Sequence, residues 1–519
     1  MTNAPALAPD RQTRLYLYLI IAFGLCLRLV YFSEDIGGSH TFRQAMVANQ
    51  IDSLKAQPYP GPKLGFLERY DQTYDFGIVF YDTPIYQYVA AKVSDILNIG
   101  AVRAGRLVNL AIFVGISLIF YEILTEIGIR TTASLLTTLL LALSPLSIQN
   151  TFGLYPDILA TFTSYLSFYL LLRYERERWW GFFYTALVLG VASTLIKLSI
   201  YSLFAVAYAW NLIWAARWRV LRRVDAILFG LVIAAAVAAF VLERSYFNYG
   251  QISEAANYNE SFRLSWYLGP VAERFELEPW RDIGERFMLE YLFPPFMPLA
   301  LMGLWRVVRQ FVKKPRDPQR TLLGLVVGSF VMIVIFFNVF FRHDYYALPL
   351  LPIYCALASV GLLNFYALIG SPFAANARAF AFMAVAAIFG SIYYAYSLQS
   401  LNYRGNRMSI EIGKSLQELV PADGYVLYLT DEDVSNPEYL YYARRRGVLA
   451  NFNTTDTRFV SQTVKDHRWD PDNTYLFADA IRLLPNKQDQ LKLRLDRYEL
   501  RELGTSAGRG IVYKLIPRG

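Results

Sequence analysis

Long apolar runs constrain this chain more than any other feature of its sequence. A helix needs roughly 20 apolar residues to cross about 30 Å of hydrocarbon. About eleven runs approach or exceed that length, near 14–33, 105–125, 131–150, 157–174, 180–197, 199–216, 224–242, 291–308, 321–341, 345–369 and 376–398. The chain is 55% hydrophobic and 18% charged, whereas soluble proteins average roughly 25% charged residues. The sequence therefore predicts a mostly α, polytopic membrane protein with about 11 transmembrane helices, the first of them a retained span rather than a cleaved signal.

Basic residues in alternate loops predict how these helices are oriented, since Lys and Arg in short loops mark the cytoplasmic side of a membrane. With the N-terminus inside, the inward loops carry many more basic than acidic residues, among them Arg11, Arg130, Arg176, Arg222 and Arg309. This bias accounts for the formal net charge of +8. No nucleic-acid partner is therefore expected.

Three long polar segments fall on the opposite, outer side of the predicted membrane: a first loop at 34–104, a second loop at 244–290 and a tail from about 400. The tail alternates strand and helix patterns, with strands expected at 425–430, 474–477 and 510–515 and helices at 410–419 and 437–446. We therefore predict a transmembrane domain over 1–400, which includes both loops, and a small extracytoplasmic α/β domain over 401–519.

The first outer loop opens with Asp35 and two glycines, and then reaches a predicted helix start. Thr41 and Gln44 have the spacing of a capping box, and an apolar stripe follows, which predicts a helix lying along the membrane surface. The free N–H groups at its start, beside His40 and Arg43, suit an anionic phosphate. An interfacial anchor, with Arg43 reaching lipid headgroups, explains the same residues equally well.

Two further acids lie at the outer ends of predicted helices. Asp82 precedes Thr83 and Pro84, a pattern typical of a helix start, so a capping role is the simpler explanation for Asp82. Asp157 falls in the first turn of the fourth span, where the helix dipole stabilises an acid by roughly 0.3–1 kcal/mol. A carboxylate at the edge of the hydrocarbon costs more than that unless it is paired. We therefore predict a functional Asp157, partnered by Arg43 or a metal ion.

Cations and aromatic rings mark two other outer connections. Lys197 falls at the junction of the fifth and sixth predicted spans, where contact with lipid headgroups explains a lone lysine adequately. Between the ninth and tenth spans, Arg342 and His343 precede Tyr345 and Tyr346. An aromatic belt accounts for the tyrosines but leaves the charged residues before them unexplained.

These polar residues converge on the outer face of the predicted bundle, which also holds two of the three histidines. Cations bind phosphate, and a carboxylate or imidazole serves as a general base. The set therefore favours a reaction on a phosphate-bearing lipid. An ion pathway fits poorly, because the middle of the predicted spans carries almost no charge and no pair of broken helices is expected.

Several motifs in this set are specific enough to compare with a known family. The most specific is His343-Asp-Tyr-Tyr-Ala-Leu-Pro-Leu-Leu-Pro352, followed by His40-Thr-Phe-Arg-Gln44. Ser144-Pro-Leu146, Tyr155-Pro-Asp157 and the tail segment Asn436–Gly447 add to them. Together, and over essentially the whole chain, they resemble the membrane glycosyltransferases of the GT-C class, in particular bacterial relatives of the dolichyl-phosphate-mannose protein mannosyltransferases and of the lipid A aminoarabinose transferase.

The resemblance implies an enzyme of the bacterial inner membrane, with a cytoplasmic N-terminus and a periplasmic or extracellular C-terminal domain. Such enzymes take a sugar from a polyprenyl-phosphate donor and pass it to a lipid, glycan or protein acceptor at the outer face. The family has an acid in the first loop as its base, and this chain has His40 there with Asp35 upstream.

One motif of the family departs from the pattern in this chain. Where the aminoarabinose transferase has a Glu-Lys-Pro that helps hold the carrier phosphate, this chain has Asp82-Thr83-Pro84. The lysine is missing. Arg43, Lys197 or Arg342 is therefore expected to take its role.

The expected reaction is a single displacement with inversion at the anomeric carbon. The candidate bases are His40, Asp157 and Asp35, and a divalent metal would be held by Asp35, Asp82 or Asp157. The candidates for the donor phosphate are Arg43, Lys197, Arg342, His343, Tyr345 and Tyr346, and Trp266 and Tyr267 of the second outer loop are candidates for the acceptor groove.

Two other functions compete with this one. A transporter or flippase of lipid-linked sugars would share the basic outer face, but it would also need polar residues along the interior of the bundle. A non-catalytic membrane scaffold, with the tail as a binding domain, would tolerate the loss of Asp157 and His40.

Overall fold

The chain divides into two compact units. The computed structural model describes residues 10–37, 40–55, 83–217, 223–250, 265–315, 317–369, 385–398, 407–430, 438–452, 455–466, 469–479, 485–506 and 510–518. The helical unit comprises Met1–Ser33, Asp82–Val89 and Gly105–Gln399, and the sheet unit comprises Glu34–Tyr81, Ala90–Ala104 and Ser400–Gly519. The predicted tail domain lies within the sheet unit, which also contains two segments of the predicted first loop.

Helices dominate the described part of the chain. In chain order they are α1 (Arg11–Leu29), α2 (Thr41–Lys55), α3 (Ile85–Leu97), α4 (Ala101–Glu126), α5 (Thr131–Leu143), α6 (Pro145–Phe152), α7 (Asp157–Glu177), α8 (Trp180–Arg217), α9 (Arg223–Gly250), α10 (Leu277–Arg286), α11 (Phe296–Lys313), α12 (Arg320–Ile335), α13 (Phe337–Arg342), α14 (Leu351–Ile369), α15 (Val385–Leu398), α16 (Arg407–Leu419), α17 (Glu438–Ala443), α18 (Thr457–Asp466) and α19 (Pro485–Arg494). A 3₁₀ segment, Asp344–Leu350, leads into α14, and a π turn, Phe287–Tyr291, extends α10.

Four of the described helices are long and apolar enough to cross a membrane: Arg11–Leu29, Ala101–Glu126, Trp180–Trp214 and Asp344–Leu368. Two bent pairs raise the number to six if each pair is one span, with bends of 54° between α5 and α6 and 109° between Leu277–Tyr291 and α11. Three shorter apolar helices accompany them. The mostly helical membrane architecture is thus confirmed, while the count of about eleven spans stays a prediction.

The bent pairs correct one expectation from the sequence, that no span is broken. The run at 131–150 ends its first helix at Leu143 and starts the next at Pro145. Ser144 between them is extended, with φ −64° and ψ 128°. The residue before a proline disfavours the helical region, because its backbone clashes with the proline ring. The Ser144-Pro145 pair therefore causes the break between the two helices.

Helix α8 contains a second interruption, at Lys197, whose φ of −161° and ψ of 98° are extended. A side chain on Gly190 would lie 2.5 Å from the Tyr201 hydroxyl. Eleven residues of straight helix span roughly 16 Å, so such an approach requires a sharp bend between them. The two runs expected at 180–197 and 199–216 are the two halves of this bent helix.

Small residues let the helices of this unit approach closely. A Cβ on Gly303 of α11 would overlap the carbonyl oxygen of Leu357 in α14, and one on Gly361 would overlap that of Leu299. Between α7 and α8, the Ser164 and Ser193 hydroxyls share a hydrogen bond of 2.6 Å. Close backbone contact and interhelical hydrogen bonds replace hydrophobic burial as the source of helix association in a membrane.

The sheet unit is built on a five-stranded mixed sheet. Its strands are β1 (Tyr425–Thr430), β2 (Arg446–Asn451), β3 (Thr474–Asp479), β4 (Tyr498–Ser506) and β5 (Gly510–Pro517), in the order β2-β1-β3-β5-β4. Strand β1 pairs in parallel with β2 and β3, and β5 pairs antiparallel with β3 and β4. Apolar residues of α16 and α17 cover one face, and those of α18 and α19 cover the other. The three predicted strands are present, and the sequence missed β2 and β4.

Candidate functional site

The break in α8 places Lys197 at the centre of a polar and aromatic cluster. An extended residue inside a helix frees carbonyls that would otherwise bond within it. One of them, the Leu195 carbonyl oxygen, accepts a hydrogen bond from the Thr83 N–H at 3.3 Å. Thr83 therefore lies against the helix break, two residues of α8 from Lys197.

The Lys197 ammonium group lies over two tyrosine rings. Its Nζ is 5.0 Å from the ring centre of Tyr346 and 5.6 Å from that of Tyr267, and the residue is only 2% exposed. A cation over an aromatic face gains about 2 kcal/mol when both are desolvated. This contact holds a positive charge in a buried position at the break in α8.

The tyrosines under Lys197 continue into a longer stack of rings. Tyr346 is 4.9 Å from Tyr345, which stacks on Tyr155 at 5.2 Å with an interplanar angle of 16°. His343 lies parallel to Tyr345 at 5.2 Å. Tyr155 is two residues before Asp157, which is fully buried in the first turn of α7. The structure thus links His343 and Lys197 through one group of aromatic rings, and Asp157 follows the Tyr155 ring of that group in the chain.

A hydrogen bond that the sequence did not predict fixes the 3₁₀ segment of this cluster. The side-chain amide of Gln149, on α6, donates to the Asp344 carboxylate at 2.9 Å. At the other end of the segment, the Tyr165 hydroxyl donates to the Pro349 carbonyl at 2.7 Å. The tyrosine pair at 345 and 346 is therefore held from both sides. A polar residue on an otherwise apolar span was the only signal for Gln149.

The second outer loop contributes Trp266 and Tyr267 to the same cluster. The Arg342 guanidinium lies 5.5 Å from the ring centre of Trp266, and the Trp266 ring is 5.8 Å from that of His343. Arg342 is exposed, whereas Tyr345 and Tyr346 are buried. Of the candidates for the donor phosphate, Lys197, Arg342, His343, Tyr345 and Tyr346 are therefore brought together in the helical unit.

Arg28 stabilises the broken span that carries Gln149. This arginine of α1 is fully buried and donates to the carbonyl oxygens of Gly24 and Ala142 at 2.9 and 3.0 Å. It also donates to the Ser147 and Thr151 hydroxyls on α6, at 2.6 and 3.2 Å. The guanidinium thus supplies a donor to the Ala142 carbonyl, which lies in the last turn of α5 and has no partner within its own helix. The charge in the first span signalled this residue, but its partners could not be read from the sequence.

A second pair of buried polar residues closes the far end of α6. Arg106 donates its Nε to the Phe152 carbonyl at 2.9 Å, and the Asn109 amide donates to the Gly153 carbonyl at 2.6 Å. The Tyr86 hydroxyl donates to the Oδ1 of the Asn109 amide at 3.0 Å. Polar side chains inside the bundle thus act as helix caps.

The first-loop candidates His40, Arg43 and Asp35 belong to the sheet unit. His40 has a φ of 52° and directly precedes α2, in which Arg43 is buried. The Asp35 carboxylate lies 3.9 Å from Lys414 of α16 in a solvent-exposed ion pair. Burial raises the pKa of the neighbouring Tyr442 well above its usual range, and its hydroxyl donates to the Ile36 carbonyl at 3.0 Å. Asp82, the remaining candidate of this loop, lies outside the described residues.

The capping box expected at the start of α2 is wrong. The helix begins at Thr41, so His40 takes the cap position, and the Gln44 amide donates to the Gly37 carbonyl at 2.9 Å instead of forming a capping box. The helix is also buried on most of its sides and not only along its apolar stripe.

The described residues do not present a ready metal site. No group of three or more His, Cys, Asp or Glu side chains among them is placed to hold a metal ion. Of the three acids predicted as ligands, Asp157 lies in the helical unit, Asp35 lies in the sheet unit and Asp82 is not described. No step of the reaction is therefore derived through a metal.

The fold matches solved structures, although no protein-family model and no curated protein matches the sequence. ArnT from Cupriavidus metallidurans, bound to undecaprenyl phosphate, aligns with a TM-score of 0.59 and 14% identity over 96% of this chain and 97% of its own. The apo oligosaccharyltransferase of Archaeoglobus fulgidus aligns with a TM-score of 0.55 and 13% identity, over 94% of this chain and 73% of its own. The arabinofuranosyltransferase AftD from Mycobacteria aligns with a TM-score of 0.57 and 12% identity, over 99% of this chain and 40% of AftD. At these identities the likeness shows a shared fold, and the fold expected from the motifs is confirmed.

Proposed function

We propose that this chain, an integral membrane protein with the GT-C fold, transfers a sugar from a polyprenyl-phosphate donor to an acceptor at the outer face of a bacterial inner membrane. The fold supports the proposal because ArnT, which shares it, binds undecaprenyl phosphate. In this chain the N-terminus would be cytoplasmic and the sheet unit would lie outside. The donor's sugar and the chemical class of the acceptor are left open.

One contact carries the proposal to particular residues. Thr83 stands where the resembling aminoarabinose transferase has a lysine for the carrier phosphate, and its N–H donates to the Leu195 carbonyl at 3.3 Å. Lys197 follows two residues later, buried over two tyrosine rings. Lys197 of α8 therefore offers, next to Thr83, the positive charge that the lysine supplies in the aminoarabinose transferase. We infer that Lys197 is the main cation for the donor phosphate, with Arg342 and His343 beside it.

The reaction that fits these residues is a single displacement at the anomeric carbon. The acceptor hydroxyl attacks the carbon opposite the phosphate, the bond to the phosphate oxygen breaks, and the configuration inverts. A base removes the hydroxyl proton. Asp157, His40 and Asp35 all remain candidates for it. The leaving phosphate carries the developing negative charge, and a fixed cation lowers the barrier by binding that charge.

The test is a turnover assay on the purified full chain in lipid nanodiscs. Defined polyprenyl-phosphate sugars are supplied with candidate acceptors, and the released polyprenyl phosphate is measured. Asp157→Asn should reduce the rate by about 10²-fold if Asp157 is the base, and His40→Ala tests the rival assignment. Asp95→Asn, which changes an exposed acid of α3, serves as the matched control. Unchanged turnover in both site variants would reject the assignment of these bases.

A second assay, with the full chain reconstituted in vesicles, separates the alternatives. If no donor is consumed but labelled lipid-linked sugar crosses the bilayer of reconstituted vesicles, the protein is a transporter. If neither occurs, the chain is a scaffold. Turnover measured with EDTA, and again after adding back a divalent cation, decides the predicted metal requirement.

A further inference from the structure

A single buried amide, that of Asn338, joins the second outer loop to Arg342. The residue lies on α13 and is 4% exposed. Its Nδ2 donates to the Trp266 carbonyl oxygen at 2.6 Å, and its Oδ1 accepts from the Arg342 Nε at 2.8 Å. These two partners fix the direction of the amide, because a carbonyl only accepts and a guanidinium only donates. Neither bond can be made by an apolar residue of the same size.

The backbone of the loop closes against the same side chain. Gly269 has a φ of 67°, and a Cβ there would lie 2.7 Å from the Asn338 Cβ. Five residues further on, Arg274 donates to the carbonyls of Val334 and Ile335, at 2.8 and 3.0 Å. The loop is thus fastened to the α12–α13 region on both sides of Gly269.

The fastened loop carries the ring that lies under Lys197. Tyr267 follows Trp266 directly, and its ring centre is 5.6 Å from the Lys197 Nζ. Arg342, the other partner of Asn338, has its guanidinium over the Trp266 ring at 5.5 Å. One amide therefore controls both the direction of Arg342 and the position of the Tyr267 ring.

We propose that Asn338 is a positioning residue for the donor-phosphate site. It orients the Arg342 guanidinium and keeps Tyr267 against Lys197, without contacting the donor itself. The inference rests on the proposed function for its kinetic consequence, but its structural consequence is independent of any substrate.

The structural consequence is tested by hydrogen exchange of the full chain in nanodiscs. Asn338→Ala should raise amide exchange of the loop at 265–275 by at least tenfold, and Gly269→Ala should do the same by pushing the loop away from Asn338. Asn211→Ala, which removes a buried amide bonded to Thr321 at 3.1 Å elsewhere in the helical unit, should leave this loop unchanged. Unchanged loop exchange in Asn338→Ala would overturn the proposal, whatever the activity.

The kinetic consequence is tested with the polyprenyl-phosphate sugar that the wild type turns over. Asn338→Ala should raise the donor KM about tenfold, the effect of about 1.4 kcal/mol, with a smaller change in kcat. Arg342→Ala should act similarly, and in the double variant the two effects should be less than additive, because Asn338→Ala acts on the donor partly through Arg342. Additive effects would refute the positioning role. If the wild type turns over no donor, the proposed function fails, while the exchange experiment still decides whether Asn338 holds the loop.

Discussion

Replacing Lys197 by methionine removes one positive charge while keeping the length and most of the volume of the side chain. Two unit charges 4 Å apart attract by about 4 kcal/mol at an effective dielectric constant of 20. The tyrosine faces already stabilise the ammonium group before a donor binds, so part of this attraction is offset. We therefore take roughly 3 kcal/mol as the transition-state stabilisation that Lys197→Met removes. At 1.36 kcal/mol per tenfold, kcat/KM should fall by about 10²-fold.

The same substitution should leave folding almost unaffected. Lys197 is 2% exposed, so methionine removes both the cost of desolvating a charge and the roughly 2 kcal/mol gained over the tyrosine faces, and these two effects oppose each other. The thermal unfolding midpoint in detergent should therefore stay constant or rise. Activity lost in proportion to stability would show that Lys197 has a structural role, and unchanged activity would refute its role in binding the donor phosphate.

A relocated charge makes this experiment more specific. Thr83→Lys, added to Lys197→Met, restores a lysine beside the same helix break and should recover about tenfold of the lost kcat/KM. Lys92→Met on α3, which breaks an exposed ion pair with Asp95 at 3.6 Å, is the matched control and should change neither activity nor stability. Failure of Thr83→Lys to restore any activity, with the protein folded, would refute the idea that the two positions serve one phosphate.

Two further predictions concern stability and are measured by thermal unfolding of the purified protein. Arg28→Leu leaves the Ala142 carbonyl and the other open groups at the break in the third predicted span without their donor, so it should destabilise the protein by roughly 3 kcal/mol or more; an effect below about 1 kcal/mol would show that the break holds without Arg28. Gly303→Ala places a methyl group on the Leu357 carbonyl and should cost about 1–3 kcal/mol. Gly230→Ala, where a Cβ meets nothing within 4 Å, should instead be neutral or stabilise by about 0.5–1 kcal/mol, and equal effects at the two glycines would contradict the close packing of α11 on α14.

The errors in the sheet unit have a common physical cause. The strands missed from the sequence, β2 and β4, are the two edges of the sheet, and the three that were found are its interior strands. Interior strands are covered on both faces and read as apolar runs, while edge strands carry charged residues that discourage further pairing. β4 includes Glu499, Arg501 and Glu502, so its pattern is weak as a strand signal.

The site was only partly readable for a related reason. The sequence marked Lys197, His343, Tyr345 and Tyr346 as outer polar or aromatic residues, because the end of a span is a local feature. It gave no sign that Asn338 bonds Trp266, 72 residues away. It also predicted a capping box at Thr41, whereas α2 already begins at that residue and Gln44 donates to the Gly37 carbonyl.

What the sequence determined by itself is the membrane architecture and the short motifs, since a hydrocarbon layer imposes a length and polarity on each span and a Ser-Pro pair or glycine acts on its immediate neighbours. What only the tertiary structure decided is which distant groups meet. The hydrogen bond between Thr83 and Leu195 joins helices more than 100 residues apart in the chain, and helix packing, not local sequence, determines such contacts. That contact places Lys197 near Thr83, the position at which the aminoarabinose transferase has a lysine.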